Sequence, residues 1–177
     1  VFLFINLMGV HVPYDPDRRL LQRFLPPSFP ERQVSSLLRW ANYLQIDFRN
    51  WLNEPLAAEK QMLLNAIYDA EVATQDAQLG VFLQRLRDAR RFERTMLAIV
   101  ADHGDHLGDK DRVNHGFGVY QPLVHVPLIV RAPSHSPGSG EVHEEPVSTR
   151  RLFHTVLATA GAATAEEEEL ALSDPTI

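Results

Sequence analysis

The feature that most constrains the fold is a short apolar run, residues 95–101, that ends directly in Asp102, His103 and Gly104. The run has the length and character of a buried strand. Neighbouring side chains point to opposite faces within a strand, but where the strand ends both Asp102 and His103 can turn towards one ion. Gly104 is free to take the positive φ angle of a tight turn. We therefore predict a strand whose carboxyl end carries a metal-binding turn.

Two further apolar runs, residues 1–7 and 123–133, also have the character of strands. The first has almost no polar alternation, which is typical of a strand buried on both faces of a parallel sheet. The second contains Pro127, which indicates an edge position or a bulge. Between the first run and the run at 95–101, apolar residues recur at three- and four-residue steps over residues 56–91, which predicts a helix.

A second helix is predicted near the C-terminus, capped by Ser148 or Thr149 and stopped by Gly161. Strands that alternate with helices predict an α/β fold with a mainly parallel sheet flanked by helices. In such sheets, functional residues gather at the carboxyl ends of the strands, and His11 follows the first run as Asp102 follows the next. We expect residues 166–177 to form a solvated acidic segment.

Composition narrows the class of protein. A chain of 177 residues is long enough for one domain with a real core, and a net charge of -6 argues against a nucleic-acid binder. The absence of cysteine excludes disulfides and thiolate metal sites, and it fits a reducing compartment such as the cytoplasm without establishing one. No apolar run approaches the roughly 20 residues of a membrane span. Because Val1 opens a strand-like run without an initiator Met, we expect the chain to start within something larger.

A carboxylate next to an imidazole suits Mn, Zn or Fe and is tolerable for Ca, which prefers oxygen ligands. Two ligands do not complete a metal site, so others must come from elsewhere in the fold. The alternative interpretation is that Asp102 caps a turn and that His103 packs against it.

Five segments, taken in order, resemble the sulfatase family of the alkaline phosphatase superfamily. They are FLFINLMGVHVPYDP, YDAEVATQDAQLGVFLQRL, TMLAIVADHGDHLGD, VHVPLIVRAP and VSTRRLFHTVLATAG. The resemblance implies that residues 1–165 form the C-terminal portion of a sulfatase-like catalytic domain, with an alkaline-phosphatase-like α/β fold that is incomplete at its N-terminal side. The family's Cys/Ser-x-Pro-x-Arg signature and its paired aspartates do not occur in this sequence. The chain alone is therefore expected to lack the nucleophile and to be inactive by itself.

The resemblance also implies roles for single residues. Asp102 and His103 would hold a divalent metal ion, with Ca expected first and Mn or Zn as alternatives. His11 would contact the leaving oxygen as a donor or general acid, and His115 would stabilise charge on the transferred group. The substrate would be a small anionic ester, and hydrolysis of sulfate esters is the leading hypothesis. Hydrolysis of phosphodiesters or phosphonate monoesters is the second, and a truncated non-catalytic remnant is the third.

The other polar residues near these positions are expected to have supporting or structural roles. Asp105 could orient His103 from behind. His106 is expected to be an exposed loop histidine, with a place in the substrate pocket as the alternative. Tyr14 and Glu71 are expected to be structural. His125 is expected in the core. The other histidines have no expected role: His135, His143 and His154.

Overall fold

The computed structural model describes residues 1–46, 55–116, 118–133, 140 and 142–172. The chain divides into two compact units. The first unit consists of Val1–Arg85 and Gly104–Val124, and the second consists of Leu86–His103 and His125–Ile177. The polypeptide passes from one unit to the other three times, and one of these passages is the peptide bond between His103 and Gly104.

The first unit is mainly helical. It contains α1 (Arg18–Phe24), α2 (Val34–Ile46), α4 (Gln121–Val124) and most of α3 (Ala58–Asp88). Helix α3 confirms the helix that the apolar spacing predicted for residues 56–91, with slightly shorter bounds.

Gly80 lies inside α3, and the helix continues through it without a break. A Cβ at Gly80 would meet nothing within 4 Å. This glycine therefore marks neither a close packing contact nor a helix end.

The core of the first unit lies where α1, α2 and α3 pack together. Leu21 on α1, Ala41 on α2 and Leu64 and Ile67 on α3 are completely buried there. Tyr14, from the segment before α1, is buried in the same cluster. Burial of apolar surface of this kind contributes about 25 cal/mol per Å². This cluster therefore fixes α2 and α3 as the base on which the polar residues described below are placed.

A short antiparallel hairpin, which the sequence did not lead us to expect, completes the first unit. Strand β2 (His106–Leu107) pairs with β3 (Val113–Asn114), and the backbone N–H of Gly108 donates to the carbonyl of Arg112 at 2.8 Å. Gly108 has a φ of 109°, which favours glycine at this corner. The buried side chain of Val113 attaches the hairpin to the helical core.

The second unit contains β1 (Leu97–Val100) and β4 (Leu128–Arg131), which form an antiparallel pair with Leu97 opposite Arg131. The Arg131 guanidinium donates to the carbonyls of Phe92 and Thr95 and to the Glu93 carboxylate, and so it holds the segment before β1.

The unit also contains α5 (Arg151–Thr159) and α6 (Ala165–Glu169). Arg151 connects α5 to the segment after α6 by donating to the carbonyls of Leu170 and Ala171.

The strand predictions need three corrections. Residues 1–7 are exposed and form no strand, because an apolar segment becomes a strand only where another backbone pairs with it, and none of the described residues does so. Leu123 and Val124 belong to α4, and β4 begins only after Pro127, whose missing N–H keeps it out of the ladder. Both strand pairs are antiparallel, so the expected parallel pairing is not seen among the described residues.

The C-terminal helix is confirmed, but its start differs from the expectation. The residue before α5, Arg150, makes no side-chain cap, and Ser148 accepts only a 3.4 Å hydrogen bond from the Arg150 N–H. Gly161, at a φ of 66°, ends the helix as predicted.

The described part of the acidic segment forms a helix that the sequence did not lead us to expect. Thr164 and Glu167 cap each other at the start of α6, and these hydrogen bonds lower the pKa of Glu167.

Among the described residues, no helix is both long enough and apolar enough to cross a membrane.

Candidate functional site

Asp102 and His103 follow the end of β1, as predicted, with only Ala101 between the strand and Asp102, and they belong to the second unit. The Asp102 carboxylate accepts a hydrogen bond from the His103 N–H at 3.0 Å, and it lies 3.9 Å from the imidazole Nε2. The Asp102 side chain is 92% exposed and that of His103 is 36% exposed. Two ligands that bind one ion with bonds of roughly 2.0–2.6 Å must lie within about 5 Å of each other. The donor types and their separation therefore fit a divalent metal ion.

His11 lies in a tight turn of the first unit, and its Nδ1 is 2.7 Å from the Val12 carbonyl oxygen. That carbonyl can only accept, so Nδ1 carries the hydrogen. Val10, which precedes the histidine, has a φ of 64°, in the left-handed region that a β-branched residue rarely adopts. A backbone of this shape persists only where its surroundings hold it.

Side chains of α2 and α3 hold this turn. The Glu71 carboxylate accepts hydrogen bonds from the N–H groups of Asp15 and Val10. The Asn42 amide accepts from the Tyr14 N–H at 2.6 Å and donates to the Tyr14 carbonyl at 3.0 Å. Burial raises the pKa of Glu71, and the two N–H donors oppose this rise because they favour its charged form. Glu71 is thus structural, as expected, and its contacts place the turn that carries His11.

His115 lies at the end of the hairpin and pairs with Asp105 at its beginning. The His115 Nδ1 is 2.7 Å from the Asp105 carboxylate oxygen, and the His115 N–H donates to the Asn114 side chain at 2.7 Å. Only 8% of the Asp105 side chain and 28% of the His115 side chain are exposed. The expectation that Asp105 orients His103 is replaced by this contact, because the hairpin turns the carboxylate towards the opposite strand.

The two histidines assigned to catalysis lie side by side within the first unit. The ring centroids of His11 and His115 are 5.1 Å apart, and one nitrogen of each lies within 4.8 Å of the other. These residues are far apart in the sequence, so the contact depends on the helical core that carries both the turn and the hairpin. One small anionic group can touch both imidazoles at this separation.

His106 is buried, not exposed, and here the prediction was wrong. Only 1% of its surface is exposed, and its ring packs edge-on against Tyr120 at 5.4 Å. Neither ring nitrogen has a hydrogen-bond partner among the described residues. Burial lowers the pKa of His106 because a charged imidazole would lose its solvation. His106 is buried because it lies in strand β2, opposite Asn114, and not in an irregular loop. Only recognition of the hairpin in the sequence could have predicted this burial.

Tyr14 is buried as expected, and its hydroxyl has no hydrogen-bond partner among the described residues. Burial raises the pKa of Tyr14 most strongly, and the negative charge of Asp105 adds to the rise.

The remaining histidines do not join these groups. His125 is exposed between α4 and β4, so its expected place in the core was wrong. His154 packs against Phe153 on α5. His143 lies in an exposed segment, and His135 lies outside the described residues.

Gly104 separates the two carboxylate–imidazole pairs. A Cβ at this position would lie 2.0 Å from the carbonyl oxygen of Pro122, and the Gly104 N–H donates to the carbonyl of Leu123 at 2.9 Å. Its φ lies outside the left-handed region, so the expected positive φ angle was wrong. The glycine is needed because the backbone approaches α4 closely.

Comparison with known proteins identifies the family. A family model described as Sulfatase matches residues 1–162. An arylsulfatase of Clostridium perfringens is 25% identical over 98% of this chain and 37% of its own length. Arylsulfatase K of Danio rerio is 28% identical over 76% of this chain and 26% of its own length. The chain belongs to the sulfatase family of the alkaline phosphatase superfamily. It spans only about a quarter to somewhat over a third of the length of these relatives.

A solved structure supports the fold. A phosphonate monoester hydrolase from Silicibacter pomeroyi (SpPMH) matches with a TM-score of 0.56 and 25% identity, over 82% of this chain and 27% of that structure. The predicted α/β, alkaline-phosphatase-like fold class is confirmed by this match together with the family.

Proposed function

We propose that this chain supplies part of the active site of a metal-dependent hydrolase that cleaves sulfate esters. The observation that carries the proposal is the Asp102–His103 donor pair, 3.9 Å apart at the end of β1, in a chain of the sulfatase family. Two curated relatives are named arylsulfatases, which supports sulfate esters as the substrate class.

Asp102 and His103 would hold the metal ion. A bound divalent ion would polarise the ester and stabilise negative charge as it develops. Ca is the first expectation for this family, and Mn or Zn are the alternatives because an imidazole suits them better. The high exposure of Asp102 leaves its carboxylate accessible to an ion and to further ligands.

His11 and His115 would contact the anionic ester. With Nδ1 of His11 hydrogen-bonded to the Val12 carbonyl, Nε2 is the nitrogen that would deliver a proton to the leaving oxygen. His115 would stabilise the charge on the oxygens of the transferred group. The family resemblance is the basis for assigning these two histidines and the metal-binding pair to the same reaction.

A second candidate function is hydrolysis of phosphonate monoesters or phosphodiesters. The name of the matched structure, a phosphonate monoester hydrolase, supports it. Sulfate and phosphonate monoesters both present a small tetrahedral anion, so two imidazoles and a divalent cation suit either group. The nucleophile and the metal would discriminate between the two functions.

The test is a turnover assay on the protein as its gene encodes it, with aryl sulfate, phenylphosphonate monoester and phosphodiester substrates. We expect the aryl sulfate to be the best substrate, and we expect a chelator to abolish turnover and Ca to restore it. Asp102→Asn tests the metal-binding pair, and Asp111→Asn is the matched control because this exposed aspartate lies in the hairpin turn.

The outcomes separate the three hypotheses. Preference for the phosphonate or the diester, restored best by Mn or Zn, would replace the first function with the second. No turnover of any ester, together with no metal binding by calorimetry, would support the non-catalytic remnant.

A further inference from the structure

The hairpin places Asp105 and His115 opposite each other by its register. His106 pairs with Asn114 and Leu107 pairs with Val113, so the same antiparallel register continues one step to Asp105 and His115. At the other end of the hairpin, the Gly108 N–H donates to the carbonyl of Arg112. Side chains directly opposite each other on one face of an antiparallel pair are close enough to interact. The contact is therefore built into the backbone and does not depend on a chance rotamer.

Both ends of this contact are held in place. The Gly104 N–H donates to the carbonyl of Leu123, which fixes the backbone just before Asp105. The Asn114 side chain accepts from the His115 N–H and is itself buried, which fixes the backbone at the other end.

The Asp105 side chain is only 8% exposed, and its carboxylate forms a 2.7 Å hydrogen bond with His115. A buried carboxylate is costly unless it is paired and hydrogen-bonded. An aspartate that only ended a turn would lie in solvent, as Asp102 does. The burial of Asp105 therefore indicates that the carboxylate has a specific use beside the imidazole.

The contact with Asp105 determines which ring nitrogen of His115 carries the hydrogen. An ionised carboxylate can only accept hydrogen bonds, so His115 Nδ1 must carry a hydrogen. Nε2 then lies on the side of the ring away from Asp105. The partner of one ring nitrogen sets the tautomer and orientation of a histidine.

We propose that Asp105 is a positioning residue that accepts the Nδ1–H of His115 and so turns the Nε2 edge of the ring away from the carboxylate, where a protonated ring donates its Nε2–H to the anionic group of the ester. The proposal rests on the proposed function for the identity of that group. The pairing itself rests on the hairpin geometry. The neighbouring His11 ring, 5.1 Å away, gives the fixed orientation a purpose, because two imidazoles must keep their spacing to contact one anion.

The first test reads the tautomer directly. In the protein as its gene encodes it, labelled with ¹⁵N-histidine and held at a pH of about 8.5, where an ordinary imidazole is neutral, we expect His115 to be the Nδ1–H tautomer. Asp105→Ala should release this preference and shift the spectrum towards the Nε2–H form. Asp111→Asn changes charge in the turn of the same hairpin and should leave the His115 signals unchanged. A wild-type His115 in the Nε2–H form would overturn the proposal.

The second test reads the consequence in kinetics. Asp105→Ala should lower kcat about 10- to 100-fold, as loss of a residue that orients an active-site histidine typically does, while KM changes much less. In a His115→Ala background the same substitution should have no further effect on kcat, because the imidazole that it positions is absent. An equal loss in both backgrounds would show a general structural role and would contradict the proposal.

The two tests also separate this inference from the proposed function. If the wild-type protein hydrolyses no ester, the proposed function fails while the tautomer measurement still decides the pairing. If the wild-type protein is active and Asp105→Ala changes neither the tautomer nor kcat, this inference fails and the proposed function stands. If Asp105→Ala does not fold, the tautomer of His115 in the wild-type spectrum still decides the question.

Discussion

Two carboxylate–imidazole pairs flank Gly104, and they are built in opposite ways. Asp102 and His103 are neighbours in sequence and lie after a strand end, with the Asp102 side chain 92% exposed and the His103 side chain 36% exposed. Asp105 and His115 are ten residues apart, face each other across a hairpin and are largely buried. The first pair keeps its oxygen and nitrogen donors accessible, as a metal ion requires, whereas the second uses them to satisfy each other.

The difference indicates that burial, and not residue type, distinguishes the proposed metal-binding pair from the proposed positioning pair. An exposed carboxylate keeps its solvation and gains little from a neighbouring imidazole. A buried carboxylate must be compensated, so its partner becomes oriented in return. Substitutions at and around Gly104 should therefore affect binding, catalysis and stability to different extents on the two sides.

The largest effect is expected from Gly104→Ala, which disturbs the junction between the two pairs. The new Cβ would lie 2.0 Å from the Pro122 carbonyl oxygen, and the backbone of α4 cannot move away as a flexible side chain could. We expect a loss of about 3 kcal/mol in the free energy of unfolding, measured by urea denaturation. Gly80→Ala, in open space on α3, is the control and should be neutral or slightly stabilising. Equal stability of the two variants would contradict the close approach.

The next effect concerns the open pair and should appear in function alone. Asp102→Asn removes the charge of a proposed metal ligand, and we expect kcat/KM to fall at least about 100-fold, or about 2.7 kcal/mol, with metal affinity lowered in calorimetry. Because Asp102 is 92% exposed, the free energy of unfolding without metal should change by less than about 0.5 kcal/mol. A large loss of stability would mean that the pair is structural after all.

The closed pair should show the opposite balance, with a measurable cost to stability. Asp105→Ala leaves the His115 Nδ1–H without its acceptor, and we expect a loss of about 1–2 kcal/mol in the free energy of unfolding. Thermal unfolding without metal or substrate measures this loss. Asp111→Asn, in the turn of the same hairpin, should cost less than about 0.5 kcal/mol. If the two variants unfold alike, the buried hydrogen bond contributes nothing to the fold.

The smallest effect is expected at His106 and depends on pH. Burial lowers the pKa of this imidazole in the folded state, so the unfolded state binds more protons as the pH falls below the ordinary value of about 6.5. The contribution of the neutral His106 side chain to stability is therefore complete above that pH, and it is lost as the pH falls towards the pKa that His106 has in the folded state.

His106→Phe should remove this loss and, at neutral pH, stabilise the protein by about 1 kcal/mol, because both ring nitrogens lack partners among the described residues. Unfolding curves at pH 5.5 and pH 8 measure both effects. His125→Gln, at an exposed position, is the control. An unchanged pH dependence in His106→Phe would show that another group is responsible.

Helices with regular apolar spacing were predictable from the sequence. The spacing over residues 56–91 predicted α3, and Gly161 predicted the end of α5, because these signals are local. The strand predictions were weaker, since a strand depends on the segment that pairs with it. The apolar residues 1–7 form no strand for that reason, and β4 begins five residues later than its apolar run.

The candidate site divides in the same way. The sequence by itself determined the Asp102–His103 turn, because the two residues are adjacent and follow an apolar run, and a carboxylate next to an imidazole is a recognisable donor pair. It also determined the family, through the order of five segments. Only the tertiary structure decided that His106 is buried, that Asp105 contacts His115, and that His11 lies beside His115. Those facts depend on the register of a hairpin and on a helical core that packs distant segments together, and neither is encoded in any one stretch of sequence.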